Sequence, residues 1–157
     1  NARIAEARTN MKAMEIAIHD YENEYAMMPW TNGDTDSPSS TLKDAVWYDW
    51  TSDQHVYYDK LTEILACSDS PAHYGLRNSR EKTFLGIPDY TKVGIIDYWG
   101  NRFGIAMDLD GDNMITGTGT PMDNLNGKVF IWSFGPNKTN DWGSVVSPKD
   151  DIPSWNQ

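Results

Sequence analysis

The chain has 157 residues, enough for one domain with a core of its own. Hydrophobic residues make up 39%, and seven Trp and eight Tyr raise the apolar area available for burial, which excludes disorder throughout. Thirteen basic against twenty-three acidic residues give a formal charge of −10, which disfavours nucleic acid or an anionic membrane surface as the main partner. Cations and basic protein surfaces fit that charge; a plain solubilising role for the acids fits it equally.

The first predicted element is the clearest. Ile4, Ala7, Met11, Met14, Ile18, Tyr21 and Tyr25 recur at alternating three- and four-residue steps, which predicts a helix over residues 1–27 with this stripe on one side. Pro29 ends it, because its ring disfavours helical geometry at Met28. Small and flexible members of the stripe (Ala7, Met11, Met14) argue against a coiled coil and for a helix laid on a sheet or on neighbouring subunits. The pattern opens with no capping residue ahead of it, so the helix is expected to continue into a preceding segment. No stretch approaches the roughly 18 consecutive apolar residues of a membrane span.

Residues 31–41, TNGDTDSPSST, read as a polar surface loop. From Ser52 a second helical pattern places Val56, Leu61, Ile64 and Leu65 on one face, with Asp53 as its N-cap. Cys67, at the end of that pattern, reads as a buried structural thiol; a lone cysteine excludes an internal disulfide and a cysteine-built zinc site. Between Ser68 and Asp89 the chain is irregular, so residues 28–95 form a variable middle segment. The period then changes to two. Phe103, Ile105 and Met107 share one face of a strand; in KVFIWSFG, Val129, Ile131 and Ser133 oppose Phe130, Trp132 and Phe134, so both faces are candidates for burial. Glycine-rich residues 110–127 connect these strands as a β-meander, the sheet is expected within 96–135, and residues 136–157 form an irregular loop. The predicted fold is a single α+β domain: a long N-terminal α-helix packed on a small antiparallel β-sheet, with an irregular C-terminal loop.

Three segments and the helix carry a resemblance. DYWGNRFGI (Asp97 to Ile105) resembles the D-P-W-G-N-P-Y signature of the major pseudopilins of bacterial type II secretion systems, with Tyr98 in place of the usual Pro. IWSFGPN (Ile131 to Asn137) resembles that family's Y-S-L-G-A-D segment, and DDIPSW (Asp150 to Trp155) its closing D-D-I-x-x-W. ARTNMKAMEIAIHDYENEYAMMPW is similar to the exposed half of a pilin helix. The resemblance implies a pilin-like fold and a non-catalytic subunit of a fibre that supports protein export. It also implies an apolar, N-methylated segment anchoring this domain in the inner membrane with the head in the periplasm. Implied partners are further copies of itself, minor pseudopilins and inner-membrane secretion components, with no nucleic acid. Membrane contact would come only through that preceding segment. The stripe of Ile4, Ala7, Met11, Met14 and Ile18 would then lie partly between subunits. Residues 31–90 are longer and richer in Trp than the family's middle, which keeps another type IV pilus-like fibre open.

Pseudopilins of this kind hold Ca²⁺ in the C-terminal loop. By motif the resemblance implies the carbonyl of Phe134, the side chain of Asn137, and Asp150 and Asp151 as ligands. Asn137 stands where the family has Asp, exchanging a charged ligand for a neutral amide, and Asp141 in the same loop can compensate. Irregular loops with clustered hard oxygens suit Ca²⁺ on physical grounds as well. The alternative is solvated acids, with Trp142 and Trp155 pinning the loop by packing.

A second, weaker candidate is DLDGDNMI. Asp108, Asp110 and Asp112 stand at i, i+2 and i+4, like the first three side-chain ligands of an EF-hand, with Ile115 at the hydrophobic eighth position and Asn113 where a left-handed backbone is required. Gly119 occupies the twelfth position, where a bidentate Glu belongs. A tight turn whose aspartates cap backbone amides is the favoured reading here.

Two other functional classes fit parts of the sequence. A calcium-dependent carbohydrate-binding module would use Trp30, Trp47, Trp50 and Trp142 in loops as a stacking platform. An enzyme would need a nucleophile elbow, phosphate loop, HExxH or Cys/His arrangement, and the sequence contains none; His19, His55 and His73 are scattered.

Overall fold

A computed structural model describes residues 2–29, 44–67, 78–86, 95–115, 125–139 and 152–153. Helix α1 spans Ala2–Tyr25 and buries Ala7, Met11, Met14, Ala17, Ile18 and Tyr21, the predicted stripe with Ala17 added. It lies chiefly against the sheet. Its first turn carries no acid and its last turn no base, so packing rather than end charges holds it. Each large side chain on that stripe contributes about 1.5–3 kcal/mol by leaving water. The helix ends ahead of Pro29, as predicted. Ala26 turns left-handed at φ 55° while its amide still donates to the Glu22 carbonyl.

The antiparallel sheet takes strands in the order β1 (Asp44–Trp47), β2 (Gly104–Asp108), β5 (Val129–Ser133) and β6 (Ile152–Pro153). Two short strands, β3 (Met114–Ile115) and β4 (Leu125–Asn126), form a separate hairpin. The sheet therefore reaches outside residues 96–135: one strand comes from the middle segment and one from the C-terminal stretch. Pro153 sits on a terminal strand of the sheet, where a residue without an amide hydrogen is tolerated.

Both central strands are buried on both faces. Phe103, Ile105, Met107, Val129 and Ile131 join the α1 stripe in the main core. On the reverse face Ala106, Phe130, Trp132 and Phe134 form a second cluster with Ile115. This two-sided burial matches the residue alternation. It also corrects the intersubunit assignment of the helix stripe: Ala7, Met11, Met14 and Ile18 are 0–1% accessible inside their own domain. Only Ile4 remains partly accessible.

Helix α2, Gln54–Ala66, buries Tyr58, Leu61, Thr62, Ile64 and Leu65. Asp53 occupies its N-cap position but makes no capping bond; the Ser52 hydroxyl instead accepts from the Gln54 amide at 3.3 Å. Cys67 closes the helix in a left-handed conformation, φ 50°, and is half-buried beside the core rather than fully enclosed. Tyr58 ties α2 to the sheet: its hydroxyl donates to the Ile95 carbonyl at 2.5 Å and accepts from the Phe103 amide at 3.4 Å. Burial pushes that phenol far above its ordinary range, so it stays a neutral donor at every physiological pH. Arg102 adds a two-pronged bond to Asp59, both distances 2.9 Å.

Asn78, fully buried, fastens residues 78–86 to both helices. Its amide nitrogen donates to the carbonyls of Ile64 and Lys82, and its oxygen accepts from the Lys82 amide and the Tyr25 hydroxyl. Among the described residues no helix is long and apolar enough to cross a membrane.

Candidate metal centre

Asp108 ends β2, and antiparallel register sets it opposite Asp44, the first residue of β1. Beyond Asp108 the chain folds back on itself through left-handed Gly111, φ 79°, and Asn113, φ 63°. Its acids organise that turn. Asp108 accepts from the amides of Gly111 at 3.0 Å and Asn113 at 2.8 Å. Asp110 accepts from the Asp112 amide at 3.3 Å, and Asp112 from the Met114 amide at 3.0 Å. The turn with amide-capping aspartates, expected from sequence, is present, and so is the left-handed Asn113.

The same turn converges carboxylates. Asp44, Asp108, Asp110 and Asp112 each offer an oxygen, and these oxygens all lie within 4.8 Å of one another. That is a cluster able to hold a metal ion. Asp108 is buried, Asp44 half-buried, and the other two face solvent. Asp44 is the member sequence reading missed. It comes from a neighbouring strand and can stand for the carboxylate that the twelfth position of the turn lacks.

Crowded acids share protons unevenly. Burial first, then the Asp110 carboxyl beside it, raise the Asp108 carboxyl above its ordinary value of 3.8, while the two amides oppose the rise. Asp110 moves the other way, lowered chiefly by its hydrogen bond with Asp108. The shared proton therefore rests on Asp108. The stability contributed by Asp108 is complete below the unfolded carboxylate range and is lost as pH rises through its raised folded value. Asp110 does the reverse: its contribution is present above its ordinary value and is lost as pH falls through the depressed one. Below that raised value a cation must displace the Asp108 proton. Affinity is accordingly expected to fall as pH falls through the raised Asp108 value, with proton release on binding there. Titration calorimetry in two buffers of different ionisation enthalpy measures that release, and equal heats in both would refute it.

Of the C-terminal ligand set, Phe134 is buried at the end of β5 and Asn137 lies exposed in the following turn, its side-chain oxygen accepting from the Thr139 amide at 2.8 Å. Asp141, Asp150 and Asp151 lie outside the described residues. The tryptophan platform changes character. Trp47 sits in a strand, 5% accessible, rather than in a loop. Trp50 packs on Tyr58 and stacks on Phe134. Trp30 and Trp142 lie outside the described residues.

A second polar constellation holds the DYWGN loop. Asp97, 3% accessible, accepts from the amides of Trp99 at 3.0 Å and Asn101 at 2.8 Å, and from the Ser133 hydroxyl at 2.7 Å. Ser133 in turn accepts from the Gly135 amide at 3.1 Å and is in register with Ile152. No protein-family model, curated protein or solved structure matches the chain.

Proposed function

We propose that this chain is the head of a structural, non-catalytic subunit of a pilin-like fibre in a bacterial cell envelope, of the kind that supports protein export. The observation that carries the reading is the meeting of three distant segments at one residue. Ser133, within IWSFGPN, is hydrogen-bonded by Asp97 of DYWGN and paired with Ile152 of DDIPSW. Those are the three segments in which the sequence resembles major pseudopilins, and a shared structural junction gives their order and spacing a common cause. A long helix on a small antiparallel sheet suits the same reading. Self-association in a fibre, contacts with minor pseudopilins and a periplasmic setting follow from it.

The ion that fits Asp44, Asp108, Asp110 and Asp112 best is Ca²⁺. It takes hard oxygens from an irregular turn and tolerates carboxylates at mixed depth, where Mg²⁺ demands a near-octahedral shell. Its role would be to clamp β1 to the β2–β3 turn. Calcium is expected to raise the melting temperature, with Mg²⁺ much less effective. Asp110→Asn keeps an acceptor oxygen for the Asp112 amide, relieves the crowding on Asp108 and should weaken calcium binding roughly tenfold or more. An unchanged calcium-induced shift in that variant would reject the assignment.

The fibre reading is tested with the full gene product in cells that possess a prepilin-type assembly machinery. Overproduction should yield sheared filaments that react with antibody to residues 1–157, and envelope cross-linking should give a ladder of multiples. A protein that stays monomeric under cross-linking and yields no filaments would sink it.

A further inference from the structure

The turn that follows β5 carries a motif with chemistry of its own. Asn137-Lys138-Thr139 is the one place in the sequence where asparagine is followed, two residues on, by Ser or Thr, and the residue between is not proline. That spacing is the acceptor signal for transfer of a glycan to the asparagine amide. Asn137 is also the residue at which this segment departs from the G-A-D pattern it resembles. The exchange that removes a charged oxygen supplies an acceptor amide.

The structure presents the motif as an acceptor needs it. Pro136, Asn137, Lys138 and Thr139 are all exposed, directly after buried Phe134 and Gly135. The Lys138 amide closes the turn by donating to the Gly135 carbonyl at 3.2 Å, with Pro136 setting its first corner. Lys138 then takes a left-handed backbone, φ 61°, which brings Thr139 back to Asn137. The Thr139 amide donates to the Asn137 side-chain oxygen at 2.8 Å, and the Thr139 hydroxyl to the Asn137 carbonyl at 3.4 Å. Both groups that define the motif are thus held together outside the sheet. The bond to Oδ1 draws electron density from the amide nitrogen and acidifies its protons, which favours loss of one to a base.

From this we infer that Asn137 is an N-glycosylation site, taking its sugar from a polyprenyl-diphosphate-linked donor outside the cytoplasm. Asn137 Nδ2 attacks the anomeric carbon of the sugar, and the bond from that carbon to the diphosphate oxygen breaks. The polyprenyl diphosphate leaves with the electron pair, and the amide proton passes to a carboxylate of the transferase. The site lies beyond one end of β5, while the metal turn lies at the other, where Val129 pairs with Met107 next to Asp108. A glycan and a cation can therefore be held together. The inference rests on the extracytoplasmic setting of the proposed function and on nothing else in it.

Mass spectrometry of the full gene product, isolated from the envelope of the cells that make it, tests the inference. The peptide carrying Asn137 is expected with the added mass of one glycan, and Asn137→Gln and Thr139→Val are each expected to lose it. Thr139→Ser keeps the hydroxyl and should be modified to a lesser extent. Both positions are exposed, so an unchanged melting curve should accompany the loss. In vitro, the folded 157-residue chain, a transferase that reads Asn-X-Thr alone and a polyprenyl-diphosphate sugar should give a single addition, again lost in Asn137→Gln. A bare Asn137 in the native protein would overturn the inference, as would a glycan that survives Asn137→Gln. Filaments built from bare subunits would overturn this inference alone, whereas glycosylated subunits that form none would reject the fibre reading alone.

Discussion

Replacing Asp97 with alanine is expected to cost about 3–4 kcal/mol, read as a lower urea midpoint at unchanged slope. Three donors lose their acceptor at once: the amides of Trp99 and Asn101 and the hydroxyl of Ser133. Each orphaned buried donor costs about 1–3 kcal/mol, and the two amides, only partly buried, recover some of that from water. The loop they close also contains Gly100, φ 86°, a conformation that glycine adopts without strain. Asp97→Asn separates hydrogen bonding from mere loss of volume. Its oxygen can still take both amides, and its nitrogen can donate to Ser133, so a loss of only about 1 kcal/mol is expected. A loss as large as that of alanine would mean that the carboxylate charge, rather than its geometry, holds the junction.

The second large effect is steric. Gly104 and Trp132 are direct partners across β2 and β5, and a Cβ at Gly104 would overlap the Trp132 indole. The strand backbone there is ordinary for any residue, so glycine is required by space. Gly104→Ala must displace a fully buried ring and should cost about 1–3 kcal/mol. Trp132→Ala empties the site and should cost about 3–5 kcal/mol. Because the alanine methyl enters the space the indole vacates, the double variant should be more stable than the sum of the two losses implies. Strict additivity in a double-mutant cycle would show that the two residues do not compete for that space.

Local and periodic features were legible in the sequence; features made by distant residues were not. The α1 stripe shows because seven apolar residues repeat along a 24-residue helix, long enough to outweigh any single exception. The two central strands show because both faces of KVFIWSFG are apolar. β1 is not legible because DAVW is four residues beside a polar stretch of sequence, and its strand character comes from pairing with β2. β6 is two residues, one of them proline, and exists only through its partner. The metal cluster divides along the same line. Three aspartates at alternate positions announce themselves, whereas Asp44 joins them through strand register. Trp47 misleads for that reason too: without its strand it looks like a loop aromatic, and with it, it is core.

The order of the sheet has a consequence for how the molecule is made. α1 leaves the ribosome ahead of the sheet, carrying a stripe of Met, Ile and Tyr whose main strand partner, β5, arrives only with Val129 and Ile131. β5 in turn lacks a neighbour on one side until Ile152 and Pro153 have been added. A nascent chain must therefore wait, collapsed but unfinished, until β6 has been made, in the manner of folds rich in long-range pairings. Polypeptides that terminate early would present a bare strand edge and a homeless amphipathic helix, two features that invite aggregation or degradation. Synthesis through β6 is thereby checked by the fold itself.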